Sequence, residues 1–400
     1  MNKSKIKADI GRLLAGSPIL RHGARIFLRI RTAIAPRTQP FVAVLSLGEV
    51  MHAYSAARGV KSLGRRVLLI TDTPQLPEMV YSDAIILRNP LTDAEAVLAE
   101  LEAFKLDGVL VSTDHVLLPL QDKIASRFDL ISVGAETTVF NNDKLAWRNA
   151  LAAEDVPQPR YSSDPAVFDG KACVRKPRLG HGSEDVVALK ADDDKRPYAG
   201  EQYYFEEVMT GDQYDYEGIV RNGQVHIFAR LFEKYREHNG TFVSQYYIFN
   251  MPIEPEIKAA LDACALKTLA VAKVRHGAFH IEMRMNGNHA VPIDFANRMS
   301  SVERGVSFCI NNDFARAHAS CFVSDEHPLP VTETRPLFQY WCWTEDEFER
   351  ASAIRDANTD RVFEARMVPH RMNGEQCFGM ITFFHDDARQ LLKMVESIAN

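Results

Sequence analysis

The chain of 400 residues is too long for a single hydrophobic core, so two or more domains are expected. With 46% hydrophobic and 25% charged residues it has the make-up of a soluble globular protein, and a net charge of −6 gives no electrostatic reason to expect nucleic acid as a partner. Six cysteines without a CxxC spacing and thirteen histidines without HExxH argue against a disulfide framework and a histidine-built metal centre, and fit a reducing, cytoplasmic compartment.

Positive charge is concentrated at the start. Residues 1–40 hold nine Lys and Arg against Asp9 alone, a net of +8, so the remainder carries −14. Within this basic leader Ile26, Phe27, Ile30, Ala33 and Ile34 recur at helical spacing, with Arg25, Arg29 and Arg31 between them. The pattern predicts a helix that either packs on the body of the protein or lies on an anionic membrane surface or an acidic partner. It is too short and too charged to span a bilayer, and no signal-peptide pattern accompanies it.

From residue 41 the apolar runs Phe41–Leu47, Arg66–Ile70, Ala84–Leu87 and Gly108–Val111 alternate with helical stretches over Val50–Leu63, Asp93–Phe104 and Leu117–Arg127. That alternation predicts a small, doubly wound α/β domain over residues 41–135. There is no GxGxxG, so a dinucleotide site is not expected. Gly48, Asp72 and Asp114 stand at strand ends, where open sheets present ligand-binding groups or simply turn the chain.

A second unit is expected over residues 136–210. Asn141–Asp143 can cap a helix with Lys144 in its first turn, where the helix dipole disfavours a cation unless it has an anion to meet. Pro157 and Pro159 end that helix. Val174–Ser183 (VRKPRLGHGS) begins as a strand bearing Lys176 and runs into a loop with Gly180, His181, Gly182 and Ser183. Such a loop is either a hairpin turn or a concavity of backbone N–H groups that binds an anion such as phosphate. Gln202–Met209 reads as a strand ending in Glu206, Glu207, Val208 and Met209, either a solvated edge or the hinge of a cleft.

Residues 211–328 read as a third unit. Its strands are Tyr214–Val220, Val225–Phe232 and Thr241–Ile248, with a tight turn at Asn222-Gly223 and a polar loop over a cleft at 233–240 containing Lys234. A long helix follows from Pro255 to Val274, then a hairpin of Ala278–Met285 and Ala290–Phe295. Glu282 and Asp294 alternate with apolar residues on this hairpin, so both can face one cleft, where they would either pair with Arg284, Arg298 or Arg304 or hold a cation that takes hard oxygen ligands. His327–Pro336 reads as a linker, and residues 329–400 as a compact α+β subdomain that could shape a substrate pocket or a homodimer interface.

Taken in order, Asn142-Asp143-Lys144, Val156–Pro159, Val174–Pro177, Gly180–Ser183, Phe205–Gly211, Gly277–Glu282 and Ile293–Arg298 resemble the ATP-grasp superfamily over residues 41–325, in particular its carboxylate-amine ligases, which include amino-acid and D-alanine ligases. The resemblance implies two α+β lobes gripping ATP. It further implies that Lys144 and Lys176 contact the phosphates and that Gly180, His181, Gly182 and Ser183 cover them. Glu206, Glu207, Val208 and Met209 would meet the adenine edge, largely through backbone groups, and Gln213 would stand at the ribose. Glu282, Asp294 and Asn297 would hold Mg²⁺, with Mn²⁺ as a substitute, Arg298 would orient the acyl phosphate, and Lys234 would be a further phosphate-facing cation. Three places depart from the family pattern: Gln213 where Glu is usual, Ala296 where Asn is usual, and Asp185 where Gly is common. The expected activity joins a carboxylate to an amine at the expense of ATP. The rivals are a carboxylase or carboxylate-thiol ligase on the same scaffold and an ATP-binding sensor.

Overall fold

The computed structural model describes residues 18–35, 38–48, 53–180, 185–238, 241–325, 327–329, 336–366, 370–372, 375–385 and 387–399. The four apolar runs form strands β1 (Phe41–Leu45), β2 (Arg66–Ile70), β3 (Ala84–Ile86) and β4 (Leu106–Val111). They pair in parallel in the order β3-β2-β1-β4. Their near-continuous burial is what a sheet covered on both faces demands, and it explains why the runs do not alternate. Helices Ala53–Ser62, Ala94–Leu101 and Leu118–Phe128 fall where the apolar periodicity puts them, while residues 50–52 of the first expected helix lie outside the described residues. Helices Leu76–Tyr81 and Ala135–Asn142 are additions that the sequence pattern does not announce; the first starts on a capping box between Gln75 and Glu78.

The basic leader contributes a helix, Pro18–Ile34. It docks through Leu28, 1% exposed, and through Thr32, whose hydroxyl donates to the Leu28 carbonyl and accepts from the Ile85 N–H of edge strand β3. The helix thus covers an edge donor that would otherwise be open.

A small antiparallel sheet follows, built from β5 (Tyr161–Ser162), β6 (Cys173–Pro177), β7 (Val187–Leu189) and β8 (Tyr203–Glu207) in the order β5-β8-β6-β7. The largest sheet has eight strands: β9 (Gln213–Arg221), β10 (Gln224–His238), β11 (Thr241–Phe249), β12 (Gly277–Asn286), β13 (His289–Ala296), β14 (Leu337–Cys342), β15 (Val362–Arg366) and β18 (Gly379–Phe384), in the order β13-β12-β9-β10-β11-β14-β18-β15. Strands β16 (His370–Met372) and β17 (Glu375–Cys377) form a separate hairpin. The C-terminal strands therefore extend the central sheet through the β11–β14 pairing rather than forming a sheet of their own. The β9–β10 turn carries positive φ at both Asn222 and Gly223, the geometry that makes Asn-Gly a hairpin signal.

One expectation is corrected here. The 233–238 stretch is not a loop but the far end of β10, hydrogen-bonded to β11. It looks polar throughout because Glu233 and Tyr235 face a polar cluster, whereas Lys234 points to the other face and Arg236 pairs with Glu347. All six cysteines are free and buried, and no described helix is long and apolar enough to cross a membrane.

Candidate active site

The site forms where the small sheet, the helix Lys144–Ala153 and strands β12–β13 meet. Asp143 caps that helix by accepting from the Leu145 and Ala146 N–H groups, and the Lys144 N–H donates to the Arg178 carbonyl, so the first turn is tied to the chain just beyond β6. From this anchored turn the Lys144 ammonium pairs directly with Asp294 on β13. The anion that a cation at a helix N-terminus calls for is thus supplied by the protein itself.

Lys176, on β6, places its ammonium 2.8 Å from Glu206 Oε2 and 3.3 Å from the Ile293 carbonyl, the residue before Asp294. Glu206 in turn pairs with Arg148, whose guanidinium also donates to the Pro292 and Ile293 carbonyls at 2.7 and 3.0 Å. Arg148 lies one helical turn after Lys144 and is fully buried. Three cations and two carboxylates therefore stitch the helix, the small sheet and β13 together.

Glu282 stands directly opposite Asp294 in the β12–β13 ladder, so both side chains rise from one face of the sheet. The same face carries Gln213, Asp215 and Glu217 from β9, Glu233 from β10 and His280 from β12. The Gln213 carboxamide donates to Glu233 at 2.8 Å and to Asp215 and Glu282 at 3.3 Å. His280 Nδ1 lies 2.7 Å from Glu217, which also accepts from the Ser300 hydroxyl at 2.6 Å.

Charge divides this face into two regions. Burial alone would raise the Asp294 carboxyl, but the ammonium groups of Lys144 and Lys176 outweigh it and hold the group well below the usual carboxylate range. For Glu206, burial is likewise overcome by Arg148 and then Lys176, which bring it down to about 2. Asp215 moves the other way, raised by burial and by the charges of Glu233 and Glu282, and Glu233 is raised by burial and by Glu282. His280 is raised because Glu217 overcomes the cost of burying an imidazolium.

The structure brings together Lys144, Lys176, Glu282 and Asp294. Of the other expected residues, Glu206 reaches Lys176 and Gln213 reaches Glu282, and the rest make their described contacts elsewhere. Glu206 is 2% exposed and spends its carboxylate on Lys176 and Arg148, so its side chain faces inward. The Glu207 N–H donates to the Arg160 carbonyl at 2.8 Å, and its carboxylate accepts from the Arg160 N–H. Val208 and Met209 leave the ladder, with the Met209 carbonyl accepting from Arg284. Gln213 is buried in the acid cluster, not open to a sugar. The Asn297 carboxamide nitrogen donates to the His276 and Ala278 carbonyls. Arg298 donates to the Met299 carbonyl, and Lys234 is exposed on the opposite face of β10. Gly180 has a φ of +132°, open to glycine and strained for other residues, while His181, Gly182 and Ser183 lie outside the described residues.

Asp215, Glu217, Glu233, His280 and Arg148 are the members that the sequence pattern passes over. A signal for the first two was present: Gln213-Tyr214-Asp215-Tyr216-Glu217 alternates polar and aromatic residues at period two in a strand buried on both faces.

Among the described residues no group of three or more His, Cys, Asp or Glu converges on a single metal position. The Glu282–Asp294 pair nevertheless suits Mg²⁺, which is commonly bound by one or two carboxylates with substrate phosphates completing its shell.

Residues 183–303 match the family model described as an ATP-grasp domain. That segment is an ATP-grasp domain. Lys144 and Lys176 lie just before the matched segment, and Glu206, Glu282 and Asp294 lie inside it. The ATP-grasp fold extends over most of the chain. It is shared with an L-amino acid ligase from Bacillus licheniformis at TM-score 0.71 and 16% identity, covering 90% of this chain and 97% of that one. An N5-carboxyaminoimidazole ribonucleotide synthetase from Thermotoga maritima aligns at TM-score 0.69 and 17% identity, covering 89% and 96%. An N5-carboxyaminoimidazole synthetase from Staphylococcus aureus, complexed with ADP, aligns at TM-score 0.71 and 11% identity, covering 90% and 98%. No curated protein matches the chain. At these identities the structural likeness establishes the fold.

Proposed function

We propose that the protein is an ATP-dependent ligase that activates a carboxylate as an acyl phosphate and joins it to an amine, releasing ADP and phosphate. The observation that carries this is the pairing of Lys144 with Asp294, opposite Glu282, with the Lys176 ammonium beside them at the Ile293 carbonyl. Two partly buried lysines resting on carboxylates form a ready site for a more highly charged anion. The L-amino acid ligase fold and the ADP bound to a structural neighbour support the same reading.

In this scheme Lys144 and Lys176 bind the triphosphate, and Glu206 together with Arg148 keeps Lys176 aimed and charged. Glu282 and Asp294 would hold Mg²⁺ or Mn²⁺, which neutralises phosphate charge when bound. A carboxylate cannot be attacked by an amine directly, because its leaving group would be oxide. Attack by its oxygen on the γ-phosphorus forms one O–P bond and breaks the bond to ADP, and catalysis of that step is mostly positioning and charge neutralisation. The amine nitrogen then bonds to the acyl carbon, inorganic phosphate departs, and the amine loses a proton. Arg298 lies close in sequence to Asp294 and is the candidate to steady the acyl oxygen.

The test is ADP formation from ATP and Mg²⁺ in pooled carboxylates and amines, with products identified by mass spectrometry. Turnover that needs both pools supports ligation. ATP binding without turnover under any mixture overturns it in favour of a sensor, and turnover with bicarbonate in place of the carboxylate, or with a thiol in place of the amine, overturns it in favour of the carboxylase or carboxylate-thiol readings.

A further inference from the structure

The helix Pro18–Ile34 is amphipathic, but its main apolar row faces away from the protein. Leu28 and Thr32 dock on the body. Ile26, Ile30 and Ile34, spaced four apart with Phe27 beside them, are 47%, 55%, 74% and 61% exposed respectively. At 100° per residue these four fall within an arc of about 100° whose centre is close to opposite the docking side. A row of three exposed isoleucines on one helix marks an interaction surface.

We infer that this ridge seats the protein on an anionic lipid surface, with the helix lying in the plane of the headgroups. Three features favour lipid over a second copy of the chain. First, Arg29, exposed on the helix, flanks the apolar row, which is the arrangement of an interfacial helix. Second, residues 1–40 carry +8 while the remainder carries −14, so an anionic surface attracts this end of the molecule and repels the rest, orienting the approach. Third, a standard stable interface buries about 800 Å² per partner, more than one short row of partly exposed side chains supplies. The helix is not long and apolar enough to cross the bilayer, so it lies on the surface. The inference stands apart from the ligase proposal, since none of these residues belongs to the cleft.

Full-length protein would be sedimented with vesicles of phosphatidylcholine alone and of phosphatidylcholine mixed with phosphatidylglycerol, at low and high salt. Pelleting with the anionic vesicles only, weakened by salt and reduced at least about tenfold in Phe27→Ser/Ile30→Ser and in Arg29→Glu, is the expected result. The variants are checked for an unchanged melting temperature. If a variant does not fold, the salt and lipid dependence of the unaltered chain decides by itself. Failure to pellet with either vesicle, or equal pelleting with both, overturns the inference. So does a concentration-dependent dimer that the apolar variant abolishes without any vesicle binding.

Discussion

Glu206 shows how one residue can tie the site to the stability of the protein. Its carboxyl sits at about 2 in the folded state against an ordinary 4.5, because Arg148 and Lys176 overcome its burial. A folded value below the unfolded one contributes stability that is present above pH 4.5 and lost as pH falls through about 2. The shift corresponds to about 3 kcal/mol. Glu206→Gln is therefore expected to lower the melting temperature at pH 7, and the gap between variant and parent should close as pH falls from about 5 to about 2. Parallel melting curves across that range would refute the coupling. Lys176→Ala removes a cation from the proposed phosphate site while leaving Glu206 paired with Arg148. Nucleotide affinity, read by calorimetry, is expected to fall about 10- to 100-fold, a loss of about 1.4–2.8 kcal/mol, and an unchanged affinity would remove Lys176 from the site. Lys144, Lys176, Glu282 and Asp294 could be picked out from sequence because each is an unusual residue in a patterned element: a lysine in a first helical turn, a lysine before a glycine-rich loop, two carboxylates on apolar strands. Arg148 and His280 could not, since each has a principal partner more than fifty residues away, Glu206 and Glu217, and local pattern carries no trace of such pairs.

At the level of elements, legibility follows the range of the interactions. The parallel strands β1–β4 are mostly apolar runs of three to six residues whose burial is decided locally, and they appear where expected. The membership of β14 in the central sheet rests on the Tyr246–Tyr340 register, a pairing of segments nearly a hundred residues apart, so the sequence yields the strand without its sheet. The far end of β10 misleads for a related reason: its polar residues face a cluster and a salt bridge that only the folded sheet assembles. The crossing of helices Ala53–Ser62 and Phe314–Ala319 is equally hidden. Gly59 makes it possible, because a Cβ there would lie 2.2 Å from the Ala315 carbonyl oxygen. Close by, Glu303 accepts from Ser55 at 2.7 Å and pairs with Arg58 at 3.3 Å. Gly59→Ala must push the two helices apart and pull these groups out of register. A destabilisation of about 1–3 kcal/mol in denaturant unfolding is expected, with nucleotide affinity unchanged because the cleft is elsewhere. Full retention of stability would mean that the helices are free to separate.

The molecule as a whole is unevenly held. One apolar cluster runs from Leu28 through the parallel sheet and helices Glu303–Cys309 and Phe314–Ala319 to Leu337, joining the N-terminal α/β unit to the central sheet. The small sheet has a separate cluster whose buried members are Phe168, Cys173, Leu189 and Phe205. With so little apolar surface removed from water, its attachment depends on polar ties: Arg148 with Glu206, Lys176 with the Ile293 carbonyl, and Arg178 with Asp143. Regions with few buried apolar contacts open by themselves at a lower cost than global unfolding. Backbone amides of β6, β7 and β8 are therefore expected to exchange with solvent faster than those of β9 and β12, at rates that do not follow global stability. ATP with Mg²⁺ bridging the lysines of one lobe and the carboxylates of the other would slow exchange in the small sheet most, because binding there adds a tie where the apolar core is thinnest. Exchange measured by mass spectrometry with and without nucleotide separates the cases. Uniform protection across both sheets without ligand would mean that the small lobe is held as firmly as the rest, and slowing confined to β9 and β12 would mean that the nucleotide does not bridge the two.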